Sequence, residues 1–522
     1  MDKSFAIVGS GLAAVAACKA LIRKGIKPVV LDVGCEMPEQ CEDISQGMSQ
    51  LRSVDWSLTD RKFVTRNYSI EDSQSPKKLL FGSDYFYGKP EEAFISCDNP
   101  EVNCPPFSLA KGGFSVGWGA SVLFPDHEDL LDWPIEASDL YQYFQIVLED
   151  LPYSAKDDDL TLNFPLIKNT QAILKPNSGN LVLLDLLKKS KLLKKNSLVF
   201  GQSRSLVDAS LCQYCGICLN GCVYDAIYKS NHDLNKLIQS NLIEYRSGIK
   251  VDTVEDSKEG STVFYKDAKG ELKHQSFSRV LLAAGAVNST AIIMKSKKIY
   301  DTPVSIKTTL GFIAPMFRFK PLPTDWPNSN TLSGVFLEFK ALELSKHWIH
   351  TQLSTPNELV LRKIGLDVDG NKFLNALKKR ASQHIVIAHC NIHSVHANHY
   401  SLVLKNNDGN NFFKAQREQS ILSNQALFTA ISKLANISRS FGCYVIKPLV
   451  KNSTRSHGYH LGASMPMKIN PKEELDTDLL GRPLGWKNTH VIDSSIFPSL
   501  PATTIGVLSM ANATRIVSEM DI

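Results

Sequence analysis

Phe5-Ala6-Ile7-Val8-Gly9-Ser10-Gly11-Leu12-Ala13-Ala14 is an apolar run that breaks into Gly-x-Gly-x-x-Ala, passes through an alanine-rich stretch to Lys24, and returns as Pro28-Val29-Val30-Leu31-Asp32. The pattern predicts a buried strand, a tight turn, a helix to Lys24 and a second buried strand. Each residue of the turn has a physical task. Gly9 permits the bend, Gly11 lets the backbone approach a diphosphate, and Ala14 keeps the helix close to the sheet. Free N–H groups at the helix start, aided by the helix dipole, then meet the anion. Asp32 closes the second strand about 20 residues on, where a carboxylate accepts from an unphosphorylated ribose. The same turn can also form with no ligand, and by itself it does not separate FAD from NAD.

The rest of the chain alternates in character. Residues 38–110 are polar and read as excursions on a scaffold, and residues 242–300 return to α/β character, with Val280–Ala284 as a short strand. Residues 305–405 read as β-rich, with candidate strands Phe312–Phe319, Ser333–Phe339, His384–His389 and Tyr400–Lys405, the last followed by an Asn406-Asn407-Asp408-Gly409 hairpin turn. The last 70 or so residues resume the α/β pattern. The expectation is an α/β protein with a discontinuous Rossmann-like domain over 1–300 and 455–522, and an antiparallel-sheet domain over 301–454. Parts of 38–160 are excursions, and a Cys-rich loop covers 205–230.

Composition bounds the function. The 522 residues carry 58 Lys+Arg against 53 Asp+Glu, a net charge of +5, which asks for neither nucleic acid nor a lipid surface. Neither a leader nor an apolar span of membrane length is visible, so a cytoplasmic protein with reduced thiols is expected. Four of the eleven cysteines fall in one run, Cys212-x2-Cys215-x2-Cys218-x3-Cys222. That spacing matches a bacterial ferredoxin run, although Val223 stands where a proline usually follows. A single iron–sulfur cluster is the first reading, 4Fe–4S on all four thiolates ahead of 3Fe–4S on three. Zinc and a metal-free redox loop are the alternatives.

Four further segments carry a resemblance. Val280-Leu281-Leu282-Ala283-Ala284-Gly285-Ala286-Val287-Asn288-Ser289 resembles the second nucleotide-contacting strand of FAD enzymes. Gly112-Gly113-Phe114-Ser115-Val116-Gly117-Trp118-Gly119-Ala120 is similar to the flavin loop of the glucose–methanol–choline (GMC) oxidoreductases, and Asp132-Trp133-Pro134-Ile135 also recurs there. Val491-Ile492-Asp493 through Pro501-Ala502-Thr503, ending in Met510-Ala511-Asn512-Ala513, looks like that family's flavin-contacting terminus. The matches run from about residue 5 to about residue 516.

The resemblance implies FAD, held by Gly9, Gly11, Ala14, Asp32, Gly112, Gly113, Ser115, Trp118, Gly119, Ala284, Gly285, Asp493 and Thr503. It implies oxidation of an alcohol carbon by hydride transfer to flavin N5, with a base taking the hydroxyl proton. His460-Leu461-Gly462-Ala463-Ser464 resembles the segment of the catalytic histidine, with His457 as a rival. The second catalytic position, His or Asn in the family, is Thr504 here, which can orient a substrate oxygen but not share base work. Some sugar dehydrogenases similar to the family carry an iron–sulfur cluster. The implied function is therefore an FAD-dependent dehydrogenase of a sugar, glycoside or polyol, passing electrons through the cluster to a protein or quinone-type acceptor. The alternatives are a sterol or long-chain alcohol oxidase using O2, and a non-catalytic flavin and iron–sulfur electron-transfer protein.

Other features read more plainly. His389, His393, His396 and His399 have helical spacing inside a strand-like segment, so substrate-lining or ordinary strand positions are favoured over a metal. Lys188, Lys189, Lys191, Lys194 and Lys195 read as a solvated helix face, or as a docking patch for an acidic electron-transfer partner. Phe81, Tyr85, Phe86 and Tyr87 read as packing residues that can also stack on a sugar ring. Cys18 and Cys35 read as inert.

Overall fold

A computed structural model describes every residue except 1–3, 67–77, 168–170, 191–197, 326–327, 357–371, 453–458 and 522. At its centre Phe5–Val8, buried at all four positions, pairs in parallel with Val29–Leu31 on one side and Arg279–Leu282 on the other. Thr489–Val491 and Glu244–Arg246 complete the five-stranded sheet at its edges. The N-terminal, central and C-terminal segments thus build one parallel sheet, and its three central strands are short, mostly apolar runs because both faces are covered.

The helix Leu12–Arg23 buries Ala13, Ala14, Ala16, Ala17 and Ala20, and packs against the helix Gly506–Glu519. Small side chains on the first helix let the second approach closely, and alanine is the best helix former. The first helix ends where Gly25 takes a positive φ of 76°. Its N–H donates to Ile22 O at 2.9 Å, and Ile26 N–H donates to Leu21 O at 3.0 Å. This pair of bonds satisfies the last carbonyls in the manner that favours glycine after a helix.

Two larger, mainly antiparallel sheets stand beside this body, with smaller antiparallel sheets of three and two strands besides. One runs Tyr444–Val445, Leu310–Phe317, Ile385–Ile392, Trp348–Ser354, Val335–Lys340, Leu198–Gln202, with Lys451–Asn452 also pairing to Leu310–Phe317. Its core face carries Phe312, Ala314, Met316, Val335, Leu337, Phe339, Ile349 and Leu353, packed with Ala426, Leu427, Ala430 and Leu434 of the helix Ile421–Arg439. Alternation with period two turns the intervening residues, including Glu338, His350, Gln352 and His389, to the other face. The second sheet runs Leu461–Gly462, Pro303–Thr308, His399–Asn407, Asn410–Glu418, Ile95–Ser96. Its hairpin turns at Asp408 and Gly409, with φ of 48° and 87°, both positive as a two-residue hairpin turn requires.

The candidate strands shift by one to three residues at their ends, and Trp348–Ser354 is a strand that the sequence did not nominate. Leu198–Gln202, numbered within the expected 1–300 segment, pairs with Val335–Lys340, and Leu461–Gly462 pairs with Lys307 and Thr308. The two expected segments are therefore stitched at both edges. Residues 38–110 include the helices Glu39–Ser49 and Leu58–Val64, whose Cys41, Met48 and Val64 join Trp56, Phe81 and Phe86 in a cluster with Cys215, Ile217 and Val223. These excursions form the cover of the cysteine loop. Among the described residues, no helix is long and apolar enough to cross a membrane.

Candidate active site

A cavity of about 660 Å³ lies between the parallel sheet and the antiparallel sheets, within the usual size of a small-molecule or cofactor site. Its cofactor-side wall begins at Gly9, where φ is 100° and a Cβ would stand 2.5 Å from Ala283 O. Only glycine permits that approach of turn to strand. Gly11 precedes the helix Leu12–Arg23 with no side-chain cap, so the first N–H groups of the helix stay free for an anion. A Cβ at Gly11, Gly119 or Gly285 would meet nothing within 4 Å. The three border the cavity, so the open space beside their backbones is room for a bound group.

Asp32 is buried at the foot of this wall. Its Oδ2 accepts from Ser10 Oγ and, at 3.0 Å, from Tyr245 O–H. Burial pushes the carboxyl up to about 6, against the pull of those two donors. Ser10 Oγ also accepts from Gly112 N–H at 2.9 Å, which ties the first turn to the glycine-rich loop. That loop is a short 3-10 turn over Gly113–Gly117. Ser115 Oγ donates to Gly112 O at 2.7 Å, and Trp118 Nε1 donates to Tyr228 O at 2.7 Å. Lys78 Nζ donates to Gly117 O, and burial pulls its ammonium down to about 8.

Asp493 borders the cavity with its oxygens already engaged. Oδ2 accepts from Gly285 N–H at 2.9 Å and Ser289 Oγ at 2.6 Å, and Oδ1 accepts from Ser495 N–H at 2.9 Å and from Ser495 Oγ. It thus clamps the central strand segment to the C-terminal one. Ala14 is buried in the helix–sheet core, as its packing task demands, and Thr503 is buried with no partner for Oγ1 among the described residues; neither borders the cavity. The other expected cofactor residues, Gly113, Ser115, Trp118 and Ala284, line it together with Gly9, Gly11, Asp32, Gly112, Gly119, Gly285 and Asp493. Glycine space, an uncapped helix start and a buried carboxylate fit an adenine dinucleotide such as FAD.

His460 and Thr504 border the same cavity. Burial, with a smaller contribution from His350, pulls the His460 imidazole down to about 4, so the ring is neutral at pH 7. Its buried Nδ1 has no hydrogen-bond partner among the described residues. Thr504 Oγ1 accepts from Leu123 N–H at 3.0 Å, and its own O–H remains to donate. The rival His457 lies outside the described residues.

Two further cavity residues, Gln352 and His389, come from the antiparallel sheet and face each other across neighbouring strands. His389 was within reach of the sequence as a strand position; Gln352 gave no signal. Tyr87, Phe114 and Tyr459 add an aromatic wall, with Tyr87 and Tyr459 hydroxyls 3.0 Å apart. Of the other spaced histidines, His393 is buried with its ring stacked on His347 at 3.8 Å, and His399 starts a strand. No helix joins the four. Lys188 and Lys189 end the helix Ser178–Lys189, while Lys191, Lys194 and Lys195 lie outside the described residues.

The cysteine loop lies on the same side of the molecule as the cavity, with Leu219 bordering it. Cys212, Cys215, Cys218 and Cys222 share one loop, turned by Gly216 and Gly221 at φ of 84° and 114°. Burial first, then the neighbouring Cys218, pushes Cys215 up to about 12, and burial does the same for Cys212. Cys218 Sγ is instead turned to Asn330 Oδ1 at 3.4 Å. Among the described residues no three His, Cys, Asp or Glu side chains form a group that could hold a metal ion. The four thiols are thus not drawn together as a ligand set among the described residues. None of the eleven cysteines is in a disulfide.

No family model and no curated sequence matches the chain. Among solved structures, the crystal structure of pyridoxine 4-oxidase from Mesorbium loti superposes with a TM-score of 0.62 and 13% identity, covering 99% of this chain and 98% of that one. The superposition spans the parallel sheet and both larger antiparallel sheets at once. The chain therefore has the fold of the GMC oxidoreductases, shared with pyridoxine 4-oxidase.

Proposed function

We propose that the chain is an FAD-dependent oxidoreductase that oxidises a CH–OH group of a small molecule. The observation that carries this reading is a neutral, desolvated His460 bordering the same cavity as the glycine cradle. FAD, when bound, supplies the hydride acceptor. The protein side is proton handling and orientation. With Nδ1 of His460 buried and unpartnered, Nε2 is the ring atom left to take the hydroxyl proton. Thr504, its oxygen already accepting from Leu123 N–H, orients the substrate oxygen by donating to it. Gly11, Asp32 and the Gly112–Gly119 loop hold the cofactor. Residues 1–300 with 455–522 are read as the cofactor domain, and 301–454 as the substrate domain.

The test is a substrate screen with anaerobic flavin bleaching as the readout, over sugars, polyols, pyridoxine, aryl carbinols and long-chain alcohols. A purified protein without a flavin spectrum, or a His460→Ala form with full turnover, overturns the proposal. A sugar or polyol remains the first candidate from the sequence resemblance, and the neighbour's name adds pyridoxine-like carbinols to the screen. Peroxide formed without an added acceptor would mark an oxidase, and a need for a quinone or protein acceptor a dehydrogenase.

An iron–sulfur electron exit is the finer reading of the cysteine run. It is supported by the spacing and by Leu219 of the same loop bordering the cavity. Iron and sulfide counts on anaerobically purified protein decide it, and zinc or no metal would remove it.

A further inference from the structure

Glu338 and His350 are both fully buried, and they stand opposite each other on the strands Val335–Lys340 and Trp348–Ser354. Glu338 Oε1 lies 2.7 Å from His350 Nδ1, and His350 Nε2 lies 3.0 Å from Gln352 Nε2. The Phe336 ring packs edge-on to the imidazole at 4.8 Å. Gln352, two residues beyond His350 on the same sheet face, borders the cavity. A row of three polar side chains therefore runs from the interior to the site. Apolar residues of similar volume usually stabilise a core as well as a buried ion pair does, so packing alone gives no reason for this row.

The chemistry of the row fixes its polarity. A Glu338 carboxylate only accepts, which places the ring proton of His350 on Nδ1. Gln352 turns its NH2 toward His350 Nε2 at 3.0 Å, so that ring nitrogen accepts. An amide that donates at one end presents its carbonyl oxygen at the other. We infer that Glu338 and His350 are positioning residues that lock Gln352 with its carbonyl oxygen toward the cavity, making the site selective for alcohols that carry a second hydroxyl or N–H donor. The inference rests on the cavity being an alcohol site.

Two measurements test it separately from that reading. In holoenzyme labelled with 15N-histidine, the His350 signal, assigned by its loss in His350→Gln, is expected to show a proton on Nδ1 and a bare Nε2. A proton on Nε2 overturns the inference whether or not any alcohol is oxidised. The second measurement uses the best alcohol of the screen and its analogue lacking the second donor. Gln352→Leu is expected to raise KM for the first about tenfold, with kcat changed less than twofold and the analogue unaffected. An equal change for both alcohols, or a best alcohol without a second donor, overturns the inference. Glu338→Leu should reproduce the same KM split; a variant that only lowers Tm and leaves the KM ratio unchanged makes the pair structural and overturns it too.

Discussion

The two walls of the cavity are built by different means. On the cofactor wall, Gly9, Gly11 and Asp32 lie within one strand–helix–strand unit, the glycines acting through backbone geometry and Asp32 through its carboxylate. On the opposite wall, Glu338, His350, Gln352 and His389 come from three strands and meet only because the register sets them side by side. The first wall is local and tolerant of what surrounds it. The second is non-local, so a one-residue slip in pairing would turn every one of its polar side chains into the helix-packed core.

The contrast predicts a division of labour, and substitutions can break it. The largest effect is expected at His460→Ala, where flavin reduction by alcohol should fall by about 10² to 10⁴ with flavin content intact, read by rapid-mixing absorbance. Loss of flavin in that variant would erase the distinction between the walls. Gly9→Ala should do the reverse. Its Cβ would meet Ala283 O at 2.5 Å, at a backbone φ of 100°. About 3 kcal/mol of destabilisation and a depressed flavin-to-protein ratio are expected, while turnover per bound flavin stays constant.

A pH profile sharpens the comparison. Because burial holds His460 near 4 rather than 6.5, kcat/KM should stay flat down to about pH 5 and fall only near pH 4. An acid limb at 6.5 would show a solvated base. His490, also pulled down to about 4 by burial, carries the stability consequence. It is neutral in the fold and protonated when unfolded between 6.5 and 4, so the fold loses stability as pH falls through that window. Asp32, raised to about 6, has the opposite sign as pH rises from 3.8 to 6. His490→Gln should therefore flatten the acid side of a Tm-against-pH curve. The smallest effect is expected at Tyr245→Phe, which removes one donor to Asp32. FAD affinity should weaken about fivefold by titration, with the rate of the bound enzyme unchanged.

The difference between the walls also governs what the sequence discloses. Phe5–Val8, the Gly9–Gly11 turn and the Asp408-Gly409 hairpin were readable because their signals are a few residues long. That the glycine-rich loop and His460 belong to one site came only from resemblance of short segments, and both border the cavity. Trp348–Ser354 was not readable, since Thr351 interrupts its core-facing row and leaves only Ile349 and Leu353 as apolar signal there. The pairing of Leu198–Gln202 with Val335–Lys340 joins segments far apart in the chain, and nothing local announces it. The cysteine run was legible as spacing, but the bond from Cys218 to Asn330 depends on a residue over a hundred positions away.

The central strand of the parallel sheet has a consequence for how the protein is made. Phe5–Val8 leaves the ribosome early, yet Arg279–Leu282 must join it, and Thr489–Val491 must close that edge last. At roughly 5–20 residues per second, the gap between the first and last of these strands is on the order of a minute. During that time the nascent N-terminal strand and its alanine-rich helix lack the helix Gly506–Glu519 that covers them. The cradle itself is then complete only late in biogenesis, once all three segments have met.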